Sequence, residues 1–259
     1  MDTMKYLLTL ILIGLFNLSS FSQKWQPLFN GKDLSGWIPK IHHYETGDNY
    51  ANTFRVEDGT IQVRYDEYDF FKDKYGHLFY ETPFSNYKLR FEYRFVGKWL
   101  KGDAPSYTQL NSGIMFHSQD PYTILKEQDW PISVEYQMLV QTKEGEVRPT
   151  ANMCSPGTDV FFKGKKDPRH CINSTSPTFK KGEWIQGELE VHGDRLVIHY
   201  VNGVEVLRYT KPQIGGGVAN GYDTNLKIDG TPLSSGYIGL QSEGQEIDFR
   251  NIEIMILEN

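Results

Sequence analysis

The chain has 259 residues, a formal net charge of −6 at pH 7, 14% aromatic residues and two cysteines. An acidic balance with no basic stripe excludes nucleic acid as a partner, because such a surface repels phosphate backbones instead of releasing their counterions. The 16 Tyr and 5 Trp suit both broad sheets and carbohydrate surfaces, so composition alone does not separate these two uses.

At the start of the chain, Lys5 precedes an apolar run from Tyr6 to Phe16, and a polar stretch from Asn17 to Ser22 follows. This is a signal-peptide pattern, with the small residues Ser20 and Ser22 placed for a cut before Gln23. The apolar run is too short for a bilayer anchor, and no cysteine near the cut offers a lipid attachment point. Residues 1–22 are therefore expected to be a signal peptide and residues 23–259 a single exported domain, periplasmic or secreted, with no stable membrane anchor. An uncleaved N-terminal membrane helix is the alternative.

Beyond the leader, helical periodicity is almost absent, and alternating apolar and polar residues recur between Gly, Asn and Asp. Such runs lie at Phe54–Val56, Thr60–Val63 and His77–Glu81. In Lys88–Phe95, Leu89, Phe91, Tyr93 and Phe95 share one face and Lys88, Arg90, Glu92 and Arg94 the other. Further runs follow at Gly113–His117, Ser133–Val140, Val160–Phe162, Trp184–His192, Arg195–Tyr200, Val204–Tyr209, Tyr237–Gln241 and Ile247–Leu257. Asn202-Gly203 accepts the positive φ of a tight hairpin turn, and Gly193-Asp194 reads as a second one. The pattern predicts an all-β, two-sheet sandwich in which one sheet curves to form a concave face. Long loops are expected at Ala104–Leu110, Pro121–Trp130, Lys143–Lys166 and Lys211–Pro232. In an oxidising compartment the even pair Cys154 and Cys171 predicts a disulfide, which would pin a long excursion to the body.

An ordered series of segments carries a family resemblance. Leu28-Phe29-Asn30-Gly31-Lys32-Asp33-Leu34-Ser35-Gly36-Trp37 opens it, followed by Phe54-Arg55-Val56-Glu57-Asp58-Gly59 and Asn86–Arg94. Asn111-Ser112-Gly113-Ile114-Met115-Phe116, Val134-Glu135-Tyr136-Gln137-Met138-Leu139, Gly236–Gln241 and Asp248–Ile254 complete it. Together they resemble the 3-keto-disaccharide hydrolase family across almost the whole chain after residue 22. The resemblance implies a concanavalin A-like jelly roll and a sugar substrate, an oligosaccharide or glycoside oxidised at C3 by a partner sugar 3-dehydrogenase. The chain departs from the family pattern in three places. Ser242-Glu243 stands where many relatives carry His after the Leu-Gln pair, and His77-Leu78-Phe79-Tyr80-Glu81 replaces a Leu-x-Thr-x-Lys type of strand. The Cys154 to Cys171 excursion looks like the elaboration of a shorter loop.

Cleavage of a 3-keto-glycoside calls for a base at the acidified C2 hydrogen, a donor or cation at the developing enolate oxygen, and an acid for the leaving group. In the strand 133–139, Glu135 and Gln137 share the face opposite Val134, Tyr136 and Met138, so Glu135 is the first choice for acid/base work and Gln137 for substrate binding. The alternative reading of Glu135 is an exposed strand carboxylate or a structural ion pair. Asn111 shares a face with Gly113, Met115 and His117, which makes Asn111 a candidate hydroxyl or enolate ligand and His117 a candidate second proton carrier. A structural role is the commoner fate of a lone His. Arg94 and Glu92 are candidates for the substrate site, against an outer sheet face with cross-strand ion pairs. Trp130 offers a flat surface to a sugar ring, or a core residue.

No cofactor motif is present; a divalent cation held by loop carboxylates is left open. Two other functions compete with the ketone-specific enzyme: a lectin-like sugar-binding module, and a conventional glycoside hydrolase with Glu92 and Glu135 as its carboxylate pair. The Lys143–Lys166 segment is expected to rim the cavity.

Overall fold

A computed structural model describes residues 24–100 and 102–258, so the expected signal peptide lies outside the described residues. Among the described residues seventeen strands run in chain order: β1 (Gln26–Pro27), β2 (Trp37–Ile41), β3 (Phe54–Glu57), β4 (Thr60–Val63), β5 (Gly76–Tyr80), β6 (Asn86–Trp99), β7 (Asn111–Ser118), β8 (Val134–Leu139), β9 (Asn152–Cys154), β10 (Thr158–Phe162), β11 (Lys165–Lys166), β12 (Cys171–Ile172), β13 (Ile185–His192), β14 (Leu196–Val201), β15 (Val204–Ile214), β16 (Tyr237–Ser242) and β17 (Gln245–Ile256). The helices among the described residues are three single 3-10 turns.

The strands form two antiparallel sheets, the sandwich that the alternating runs predict. The larger has the order β11-β10-β15-β14-β13-β6-β17-β4-β3, with β1 added beside β17. The smaller has the order β12-β9-β8-β7-β16-β5-β2. Their facing sides share a core: Leu89, Phe91, Tyr93 and Phe95 of β6 are buried in one cluster with Ile114 and Phe116 of β7 and Val134, Tyr136 and Met138 of β8. Burial of such side chains stabilises by roughly 1.5–3 kcal/mol each, which is what fixes strand register here, since a slip of one residue would turn the apolar set outward. The Asn202-Gly203 turn joins β14 to β15 with φ of 48° and 78°, the left-handed pair that a tight hairpin needs.

The segment Lys143–Lys166 is not a plain loop. It contains β9, β10 and β11; the run Val160–Phe162 marks β10, whereas β9 and β11 are so short and so flanked by polar turn residues that period-2 alternation barely registers there. Cys154 and Cys171 face each other across the β9–β12 pair and form the expected disulfide.

Candidate active site

On β8, the residues that alternate with the core set face away from it. Glu135, Gln137 and Leu139 line a cavity of about 520 Å³ on the outer face of the smaller sheet. Register explains the floor. Lys40 of β2 pairs with His77 of β5, and His77 with Gln241 of β16. Leu240 faces Ile114, which sets Gln241 beside Gly113; Gly113 pairs with Gln137, and Gln137 with Asn152. Residues paired across strands share a face, so one row, polar except at Gly113, runs from β2 to β9.

The walls come from the four long loops expected in the sequence. Tyr107, Trp130, Arg148 with Pro156, and Val218 reach the same mouth, and the Cys154–Cys171 disulfide and His170 complete it. Trp130 is held by its neighbours: its ring packs on Tyr75 at 4.5 Å, and its carbonyl accepts from Gln128 Nε2 at 2.8 Å. The Tyr75 and Tyr107 hydroxyls lie 2.6 Å apart and tie the next part of the wall.

Glu135 is 6% exposed, and no donor or cation among the described residues partners its carboxyl. Burial therefore pushes its pKa from 4.5 to about 8. Its side chain lies over Gly113: a Cβ at that position would come within 2.8 Å of the Glu135 Cγ and 2.9 Å of its Cδ. Glycine there makes room for the carboxylate.

A second carboxyl, Glu243, stands at 3% exposure in the turn between β16 and β17. Burial first, then the negative charge of Glu135, raise its pKa well above the ordinary value, and Arg148 opposes this. The Arg148 guanidinium is anchored through Nη1, which donates to the carbonyls of Val140 at 2.8 Å and Leu110 at 3.2 Å. Gln137 accepts from Asn152 Nδ2 at 3.1 Å. Three buried oxygens of the cavity, Asn111 Oδ1, Gln241 Oε1 and Glu243 Oε2, have no protein partner, and neither has His77 Nε2 in the same polar row. Buried polar atoms are rarely left so, and several together on one sheet face mark a surface built to take a polar ligand.

Of the residues singled out in the sequence, the fold brings Glu135, Gln137, Asn111 and Trp130 together, with the disulfide beside them. It does not bring Glu92, Arg94 or His117. Glu92 and Arg94 lie on the outer face of the other sheet: Arg94 Nη2 donates to Asp248 at 2.8 Å, and Glu92 accepts from Arg250 at 2.7 Å. Both arginines stack on Trp184, with ring distances of 4.6 and 3.9 Å. They form the cross-strand ion-pair surface that was their alternative reading, and Glu92 cannot pair with Glu135.

His117 fails for a different reason. Between Met115–Gly239 and Ser118–Tyr237 the β7–β16 register shifts, so three steps on β7 oppose two on β16. His117 takes φ of 48° in this bulge, and a Cβ on Gly236 would come within 2.6 Å of its Cα. The bulge breaks the alternation. The ring turns to Gly193 of the opposite sheet, with Nε2 3.0 Å from that carbonyl, and burial lowers its pKa to about 4. Among the described residues, ligand atoms of Cys154, His170 and Cys171 come within 4.8 Å of one another, but both sulfurs belong to the disulfide and offer no thiolate.

The sequence profile of the 3-keto-alpha-glucoside-1,2-lyase-like domain matches residues 24–255. The chain belongs to that family. The 3-keto-alpha-glucoside-1,2-lyase-like domain is a carbohydrate-active family, and the solved structures similar to this chain share its fold. Two crystal structures of a candidate glycosyl hydrolase from Parabacteroides distasonis superpose with a TM-score of 0.54 each. They are 18% and 20% identical, cover 90% of this chain, and are themselves covered over 94% and 100%. A Bacillus subtilis protein with a galectin-like fold is 10% identical with a TM-score of 0.53, over 91% of this chain and 96% of that one. No curated protein sequence matches the chain.

Proposed function

We propose that the protein cleaves the glycosidic bond of 3-keto-glycosides or 3-keto-disaccharides by elimination, with water added afterwards. The observation that carries this reading is the pair of buried carboxyls, Glu135 and Glu243, in one sugar-sized cavity, both held above the ordinary carboxylate range by burial. Two neighbouring buried carboxyls do not readily both ionise, so one serves as base and the other as acid. Glu135 takes the C2 proton. Electrons from the C2–H bond form the enolate at the C3 carbonyl, and its collapse breaks the bond from C1 to the leaving oxygen. Glu243, which keeps its proton, gives it to that oxygen. Water then adds at C1 of the resulting 1,2-unsaturated ketone, so hydrolysis is the net outcome.

A base with a pKa of about 8 is about one-tenth ionised at pH 7, yet it abstracts a carbon-bound proton far better than an ordinary carboxylate. Arg148 lies where a fixed positive charge offsets negative charge in the cavity. The free oxygens of Asn111 and Gln241, with Gln137, receive sugar hydroxyls, and Trp130 takes the apolar face of a ring. A conventional glycosidase needs a carboxylate that stays ionised beside an oxocarbenium ion; both carboxyls here are pushed the other way.

The substrate must come from an oxidation at C3, so a sugar 3-dehydrogenase is the functional partner. The disulfide and the leader pattern support export to an oxidising compartment. No helix among the described residues is long and apolar enough to cross a membrane.

The test supplies a 3-keto-disaccharide and its unoxidised parent to wild type and to Glu135→Gln. Sugar release from the ketone alone, lost in the variant, is the expected result. Turnover of the parent at a comparable rate makes the protein a conventional hydrolase, and binding of both without turnover makes it a lectin.

A further inference from the structure

At the far edge of the smaller sheet, three loops meet next to the Trp130 wall. His42 and His43 directly follow β2, Asp73 precedes β5, and Glu127 lies in the loop that ends at Trp130. Backbone bonds lace them together: His42 N donates to the Tyr75 carbonyl and His43 N to the Lys126 carbonyl, each at 2.9 Å. The two imidazole rings stack at 3.7 Å, and His43 Nδ1 lies 2.7 Å from Glu127 Oε2. One ligand atom from each of His42, His43 and Glu127 falls within 4.8 Å of the other two.

We propose that these three residues form a site for a borderline divalent cation of the zinc type. Two imidazoles and one carboxylate are a donor set that suits zinc, nickel or copper, whereas calcium and magnesium prefer oxygen alone. His42 Nδ1 lies 2.8 Å from the Asp73 carbonyl. A proton there fixes the tautomer and leaves Nε2 with the lone pair a metal needs, the outer-shell support that ligating histidines usually have. His43 sits at φ of 74°, a left-handed conformation uncommon for His, and this backbone delivers its ring to Glu127. In the metal-free state a proton on His43 Nδ1 is shared with Glu127, and the cation takes its place. The Lys126 ammonium acts against a cation at Glu127, but it lies 3.8 Å from Glu45, which partly neutralises it. His42 and His43 are partly exposed and Glu127 is exposed, so a fourth position stays open to water. A bound ion would clamp the 121–130 loop, and with it the Trp130 wall of the cavity, to the edge formed by β2 and β5.

The experiment is calorimetric titration of zinc chloride into the untagged protein without reductant, so that the disulfide stays closed. Wild type, His43→Ala, Glu127→Gln and His170→Ala are compared, and each is checked for folding by circular dichroism. The expected result is one equivalent of zinc bound to wild type and to His170→Ala, weakened about tenfold or more in His43→Ala and Glu127→Gln. Zinc should also raise the melting temperature of wild type and not that of His43→Ala, while magnesium and calcium raise neither. Absence of stoichiometric zinc binding, binding indifferent to His43 and Glu127, or binding lost only in His170→Ala would overturn the proposal.

Discussion

Replacing Glu135 with Gln should make the protein more stable, by an amount that grows with pH. The carboxyl is buried without a partner and its pKa rises from 4.5 to about 8, so between these values the unfolded chain ionises while the folded one holds its proton. The folded state then binds more protons than the unfolded state, and stability falls as pH rises through that window. A tenfold difference in ionisation between the two states corresponds to about 1.36 kcal/mol, so the penalty in wild type is near zero below pH 4.5, about 3 kcal/mol at pH 7, and levels off near about 5 kcal/mol above pH 8. Gln is neutral in both states and escapes it. Urea unfolding of wild type and Glu135→Gln at pH 5, 6, 7 and 8 would measure the difference, which should widen steadily towards pH 8. A difference that stays flat with pH, or a variant less stable than wild type at pH 8, would refute the claim that burial alone sets this carboxyl.

Gly113→Ala should lower turnover by at least about tenfold while leaving the protein folded, because the new methyl takes the space of the Glu135 side chain; steady-state kinetics with circular dichroism separates the two effects. Cys154→Ser with Cys171→Ser should lower unfolding free energy by about 3 kcal/mol, the entropic value for a loop of this size, measured by denaturant titration. His117→Ala should keep activity within about twofold and lose about 2 kcal/mol of stability, since the ring bonds Gly193 in the sandwich and stands outside the cavity. Loss of activity at full stability in that variant would return His117 to the chemistry.

The parts of the fold that rest on side-chain period were legible in the sequence. Lys88–Phe95 alternates without a break, so the core set of β6 and its outward charges could be read directly. Glu135 and Gln137 could be paired on one face for the same reason. Alternation does not say which sheet a strand joins, however, nor what covers its outer face. Alternation leaves Glu92 and Arg94 open to either a cavity or an outer charged face, and the strand order puts them on the opposite side of the sandwich from Glu135. His117 takes the structural role that is the commoner fate of a lone His, because one extra residue in β7 shifts the register, and the close approach of Gly236 that accommodates it is a long-range fact.

Glu243 and Arg148 were missed because a turn and an irregular segment carry them, where charged residues are normally solvated. The sequence did hold one signal for Glu243: an acidic residue directly after the Leu-Gln-Ser end of a strand. Gln241 could have been found from its place in the same motif. The convergence of the long loops on one mouth depends on strand order, which no local pattern encodes.

In the proposed mechanism proton removal from C2 by Glu135 is the step on which the chemistry turns, and hydrogen exchange measures it most directly. A 3-keto-glycoside incubated with enzyme in deuterated water, or its C2-deuterated form in ordinary water, can be followed by NMR and by rate. Exchange at C2, or a primary isotope effect on bond cleavage, is expected with wild type, and neither with Glu135→Gln. Cleavage of the ketone at full rate with no isotope effect and no exchange at C2 would contradict it.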